Sequence, residues 1–312
     1  MMKYIFLLIG ILGFNMLATI CNANEQINLI AAGKQASVFV KADYKVGNST
    51  VSKTGTGFII DTSKSPGLAV ITNKHILQHN VSGQTITPSN ITVKVNMSAL
   101  APTLCNASIV ALHDNYDLGL LHFKLPENKP PDAVSKTSPD GIEYYSIKST
   151  AFLLEDSVID DDDLREGLEV LFSGFPLNLG SDLYHNYPVT RKGMIAQVLP
   201  KSHEIVIDGF ASHGNSGSPV YCVTDKGIKL VGIQEAVYPD ANIGYDEKGR
   251  VNSLSTFNSG LSLVIKCSAI KEFVYKLIDE GLYKGDWRKE SGDTILNSFS
   301  AFIKAMQGRA NK

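Results

Sequence analysis

Beyond an apolar N-terminus, this chain of 312 residues is cut by turn-forming clusters into short apolar runs, and it keeps that rhythm nearly to its end. The runs are Ala36–Val40, Gly57–Ile60, Leu68–Thr72, Ile91–Val95, Ser108–Leu112, Leu118–Phe123, Leu168–Phe172, Met194–Leu199, Glu204–Ile207, Pro219–Val223, Lys229–Ile233 and Leu261–Ile265. Each is strand-sized, rich in β-branched residues and bounded by Gly, Pro, Asn or Asp, which predicts an all-β barrel or sandwich. Helical spacing appears only late, at Ala269–Ile278 and at Thr294–Met306, where Ile295, Phe299, Phe302, Ile303 and Met306 share a face. The stretch Lys124–Glu166 holds Pro126, Pro130, Pro131 and Pro139 and is read as the connection between two β units. Its acidic run Asp160–Asp163 is read as a solvated loop, because the ligand spacing of a calcium loop is missing.

The N-terminus has its own grammar. Met1-Met2-Lys3 precedes an apolar run from Tyr4 to Ile20, and Cys21-Asn22-Ala23 supplies small residues for cleavage after Ala23. That is the pattern of an export signal, and the run, interrupted by Gly, Asn and Thr, is too short for a membrane span. A lipid anchor on Cys21 is disfavoured by the bulky Ile20 before it. The expected location is therefore secreted or periplasmic, with no membrane span after signal removal. Cleavage leaves Cys105, Cys222 and Cys267, an odd number, so at most one internal disulfide can form. The net charge of −2 offers no field to recruit nucleic acid.

The chemistry concentrates in His213-Gly214-Asn215-Ser216-Gly217-Ser218-Pro219, directly before a strand. Glycines on both sides of a serine permit a tight turn, on which the N–H groups of Gly214 and Ser216 can face one developing oxyanion. A serine nucleophile needs a base. His75 stands just past the strand Leu68–Thr72 and ahead of the apolar pair Ile76-Leu77, whereas His213 shares the serine's own turn and is read as a residue lining the cleft. Asp117 opens the apolar run Leu118-Gly119-Leu120-Leu121 and is the expected carboxylate partner of the imidazole, with Asp114 in the polar turn before it as the alternative.

Four blocks carry a family resemblance: Gly55-Thr56-Gly57-Phe58-Ile59-Ile60, Ile71-Thr72-Asn73-Lys74-His75, Tyr116-Asp117-Leu118-Gly119-Leu120-Leu121 and Gly214-Asn215-Ser216-Gly217-Ser218-Pro219. Phe172-Ser173-Gly174-Phe175-Pro176, Val189–Gly193 and Leu230-Val231-Gly232-Ile233 agree with them. Together they resemble the trypsin-like serine peptidases, nearest the bacterial branch of HtrA-type proteases and staphylococcal-type glutamyl endopeptidases. The resemblance implies a chymotrypsin-like fold of two six-stranded antiparallel β-barrels with C-terminal helices, and a cleft between the barrels. It implies a serine endopeptidase acting on protein or peptide substrates through His75, Asp117 and Ser216 and an acyl-enzyme, with no cofactor and no metal. A catalytically silent homologue used as a binding module is the alternative. The expected organisation is a signal peptide over 1–23, a peptidase domain over 28–278 with barrels at about 30–123 and 167–266, and a helical extension over 279–312.

Three departures qualify the resemblance. Asn215 stands where digestive members carry the Asp that pairs with a freed N-terminus. Only 45 residues follow Cys267, too few for a PDZ domain, and Gln234 replaces the His of glutamyl endopeptidases. The family's pocket walls map to Phe210–Ser212, Gln234–Val237 and Ser259-Gly260. Phe210, Ala211, Ala236 and Val237 make that pocket mainly apolar, with Gln234 and Gly260 beside them, so cleavage after small to medium uncharged residues is expected. Glu235 would shift the preference to Lys or Arg if it pointed into the pocket. The oligomeric state is not legible in the sequence.

Overall fold

The computed structural model describes residues 29–62, 64, 68–95, 103–124, 134–137, 143–146, 151–181, 187–199, 201–225 and 227–283. The signal peptide read at 1–23 and the helix read at Thr294–Met306 lie outside the described residues.

After a helical segment at residues 29–36, α1, the first β unit holds β1 (Ser37–Val46), β2 (Ser49–Asp61), β3 (Ala69–Thr72), the small hairpin β4 (His79–Val81) and β5 (Gln84–Ile86), then β6 (Asn90–Val95), β7 (Thr103–Leu112) and β8 (Gly119–Lys124). Antiparallel pairing runs β1-β6-β7-β8-β3-β2 and returns to β1 through the β1–β2 ladder, so six strands close on themselves. The connection holds the pair β9 (Val134–Thr137) and β10 (Glu143–Ser146), and β11 (Phe152–Leu153), which lies parallel to the end of β2. The second unit is a closed barrel of β12 (Glu169–Gly174), β13 (Val189–Val198), β14 (Glu204–Asp208), β15 (Pro219–Thr224), β16 (Gly227–Tyr245) and β17 (Val251–Lys266), followed by helix α2 (Cys267–Asp279). All twelve apolar runs of the sequence overlap strands of these two units. The run Asp160–Asp163 is exposed and forms a single 3-10 turn at Asp161–Asp163.

Strand alternation explains why the central runs are apolar throughout. On β2, β3 and β8 one face, Ile59, Val70 and Leu121, fills the first barrel. The other face, Phe58, Ile60, Ile71 and Leu120, joins Val170, Phe172 and Tyr221 of the second barrel in a core that spans the seam. Strands buried on both faces lose the apolar/polar alternation that marks a half-exposed strand. Helix α2 adds Ile270, Phe273, Val274 and Leu277 to the same core, at helical spacing. It is tied to the connection where Tyr275 donates to Glu155 Oε1 at 2.8 Å.

Several elements lay outside the expectation: the pairs β4–β5 and β9–β10, strand β11, helix α1 and an extension of β16 and β17. Helix α1 is short and adds Leu29, Ala32 and Ala36 to the core. The strands read as ending at Ile233 and beginning at Leu261 instead run on as an exposed ribbon, pairing Pro239 with Asn258 through to Tyr245 with Val251. Pro239 cannot donate to a ladder, and it enters this one at a register shift next to Val237. At the ribbon's tip, Asp246 Oδ1 accepts the N–H groups of Lys248 and Arg250, both at 2.9 Å.

Candidate active site

The first barrel supplies an imidazole and a carboxylate. Strand β3 ends at Thr72, Asn73 is extended, and a single 3-10 turn, Lys74–Ile76, lifts His75 toward solvent while Ile76 and Leu77 bury behind it. Asp117 stands immediately ahead of β8. Its Oδ1 accepts the backbone N–H of His75 at 2.7 Å, and its Oδ2 lies 2.5 Å from His75 Nδ1. A carboxylate at Nδ1 fixes the proton there and leaves the Nε2 lone pair free. The Asp117 side chain is 16% exposed and the His75 ring 48% exposed, so the pair is buried at its acid end and open at its base end. Asn73 Nδ2 donates to the Asp117 carbonyl at 2.9 Å, and Lys53 Nζ donates to the His75 carbonyl at 2.9 Å. Asp114, the alternative acid, is exposed and offers its backbone carbonyl to Lys74.

The second barrel supplies the serine. Between β14 and β15 the chain turns twice through positive φ, at Gly214 (92°) and Gly217 (87°). A Cβ on Gly217 would sit 1.8 Å from the Thr56 carbonyl, so the first barrel's β2 passes too close for any side chain there. The peptide orientations follow from their partners. The His213 carbonyl accepts the Leu177 N–H at 2.7 Å, and the Asn215 carbonyl accepts the Ser218 N–H at 2.9 Å. In a planar trans peptide the N–H points opposite to its C=O. The N–H groups of Gly214 and Ser216 therefore point away from those partners, and among the described residues neither meets an acceptor. Ser216 Oγ lies 3.4 Å from the Glu235 carbonyl, and no hydrogen bond joins it to His75 in this resting arrangement. Asn215 is buried, with neither Oδ1 nor Nδ2 hydrogen-bonded to protein.

His75, Asp117 and Ser216 line one cavity of about 930 Å³ between the two β units. Phe210, Ala211, Gln234, Glu235, Ala236 and Val237 line it too, as does His213. Gly260 does not: its carbonyl accepts the Gly209 N–H at 2.8 Å, and its place on the wall is taken by Thr256, Phe257 and Asn258 from the root of the ribbon. Arg191 was also missed by the sequence reading. It reaches the cavity from β13, stacks over the Phe210 ring at 5.5 Å and donates to the Phe210 carbonyl. Its only signal was membership of the block Val189–Gly193. Among the described residues no three His, Cys, Asp or Glu side chains are placed to hold a metal ion, and no helix is long and apolar enough to cross a membrane.

The family profile described as "Trypsin-like peptidase domain" matches residues 55–233. The chain belongs to that family. Comparison with curated proteins returns no match. The matched span of this trypsin-like peptidase starts on β2 at the seam, ends with the Gly232-Ile233 pair of β16, and encloses His75, Asp117 and Ser216. The family is one of serine peptidases, hydrolases whose substrates are proteins.

The peptidase's cavity carries one unusual charge. Burial pushes the Glu235 carboxyl up to about 7, helped by the nearby charges of Asp117 and Glu204 and opposed by His75. Glu235 Oε2 is buried without a hydrogen-bond partner, and so are Gln234 Oε1 and Ser212 Oγ around it. Buried polar groups are almost always paired, so three unpaired ones at neighbouring positions of one cavity stand out.

Proposed function

We propose that the chain is an exported serine endopeptidase in which Ser216 is the nucleophile, His75 the general base and acid, and Asp117 the group that orients His75. The observation that carries the reading is the two-point grip of Asp117 on His75, on its backbone N–H and on Nδ1, across one cavity from the glycine-flanked Ser216. A short rotation of Ser216 Oγ from the Glu235 carbonyl toward Nε2 readies it for attack, and such contacts commonly tighten only when substrate binds. Ser216 Oγ then adds to the substrate carbonyl carbon as its proton passes to His75 Nε2. The Gly214 and Ser216 N–H groups receive the oxyanion. His75 returns the proton to the leaving amine, and water, activated by the same imidazole, releases the acyl group.

The basic start, apolar core and small-residue site at Cys21–Ala23 support export with cleavage after Ala23. The motif blocks support a place near the bacterial HtrA-type and glutamyl-endopeptidase branch. The test is a fluorophosphonate probe on the purified protein, with mass spectrometry and casein hydrolysis. Wild type is expected to label at Ser216 and cleave casein, and Ser216→Ala to do neither. A wild-type protein inert in both assays would overturn the reading.

A further inference from the structure

Glu235 occupies a singular position. Strand β16 pairs Gln234 with Val264 and Ala236 with Leu263, so Glu235 is an extra residue without a place in the ladder. Such a bulge re-aims a side chain out of the normal alternation. The two ends of the residue then serve the same site. Its carbonyl faces Ser216 Oγ at 3.4 Å. The residue lines the cavity with His75 and Asp117, and its carboxyl Oε2 is buried with no partner.

We propose that Glu235 is a positioning residue that acts through the Asp117–His75 pair, its proton state setting the basicity of His75. The inference rests on the triad reading above. The charged groups that act on the Glu235 carboxyl are Asp117 from the turn before β8, Glu204 from β14 and His75 from the 3-10 turn. Two of the three are acids. An ionised, unpaired carboxylate beside them is costly, whereas a neutral carboxylic acid removes both the repulsion and most of the desolvation penalty. Lys53, from β2, is the positive charge that acts on Asp117 from the other side, so one anion at Asp117 is balanced and a second at Glu235 is not.

The sign of the effect follows. With Glu235 neutral, His75 faces one carboxylate, that of Asp117. With Glu235 ionised, a second negative charge favours the imidazolium over the free base. Coupling of this kind is reciprocal: if Glu235 moves His75, His75 moves Glu235.

The experiment compares kcat/KM against pH for wild type and Glu235→Gln with an uncharged peptide substrate. The glutamine keeps the shape and fixes the neutral state. Its ascending limb is expected to move to lower pH by about half a unit or more, within the range that a neighbouring charge imposes. Superimposable limbs would overturn the inference while leaving the triad reading intact, since that reading fails only if wild type is inert to the serine probe. A second measurement reads the Glu235 carboxyl directly, without substituting it. In protein labelled with carboxyl-¹³C glutamate, Glu235 is expected to titrate near neutrality and its midpoint to rise in His75→Ala. An ordinary carboxylate titration, or one indifferent to His75, would overturn the inference.

Discussion

The backbone N–H of Thr56, on β2 of the first barrel, donates to the carbonyl of Ser216 on the glycine-flanked turn of the second, at 2.8 Å. The Thr56 hydroxyl extends the staple: it donates to the Gly214 carbonyl at 2.7 Å and accepts the Phe175 N–H at 3.0 Å. One fully buried threonine thus fixes the Ser216 turn from the opposite barrel. Thr56→Val keeps the shape and leaves the Gly214 carbonyl and the Phe175 N–H unpaired. It should destabilise the protein by about 1–3 kcal/mol, measured by urea unfolding, and lower kcat more than it raises KM. Wild-type stability in this variant would show that the staple is dispensable.

Ser216, His75 and Asp117 should behave as one unit. Each alanine variant is expected to lose about 10⁴-fold or more in kcat, with a double variant little worse than a single one. Asp114→Ala should stay close to wild type, because its carboxylate is exposed and Asp117 alone holds the ring. The reverse ranking of the two aspartates, in steady-state assays, would reassign the acid.

Two glycines with similar backbone angles should respond differently. At Gly217, φ is 87° and an added Cβ would collide with the Thr56 carbonyl. At Gly249, on the ribbon tip, φ is 73° but nothing lies within 4 Å. Gly249→Ala should cost only the strain of the left-handed conformation, about 1–2 kcal/mol. Gly217→Ala adds overpacking at the seam, for a total of about 3 kcal/mol or more, and should abolish activity. Thermal melts and activity assays of the pair separate the two causes.

No disulfide joins Cys105, Cys222 and Cys267, and all three are buried. Burial pushes the Cys105 thiol up to about 11 and the Cys267 thiol up to about 12, and raises Cys222 as well. Since the thiolate is the reactive form, native protein should resist a thiol reagent near pH 8, and dithiothreitol should leave Tm unchanged. Rapid labelling before denaturant is added would contradict this.

The primary pocket should favour small to medium uncharged residues and disfavour Lys and Arg. The Arg191 guanidinium over Phe210 places a cation on the wall, and Glu235, neutral up to about pH 7, offers little counter-charge. Apolar pockets discriminate by only about 10- to 200-fold per methylene, so a peptide-library profile should be broad. A profile dominated by Arg and Lys would show that Glu235 faces the pocket as a carboxylate.

The barrel strands were legible because burial on one or two faces leaves apolar runs of fixed length, and the glycine-flanked Ser216 was legible because that turn tolerates few other residues. The ribbon was not. Tyr238 to Phe257 is exposed along most of its length, so no buried face imprints a period on it, and Pro239 argues against a strand unless a bulge is foreseen. Arg191 was missed for a related reason: its role depends on Phe210, 19 positions away and on another element. Glu235 was read as a wall residue whose direction stayed open, because direction depends on a bulge that only pairing with β17 reveals.

The barrels differ in when they are made as well as in what they contribute. His75 and Asp117 belong to the unit that ends at Lys124, whereas Ser216 lies on a turn whose barrel closes only with β17, at Lys266. A ribosome therefore releases His75 and Asp117 well before Ser216 and the strand that closes its barrel. On the triad reading, cleavage would have to wait until most of the polypeptide has been made.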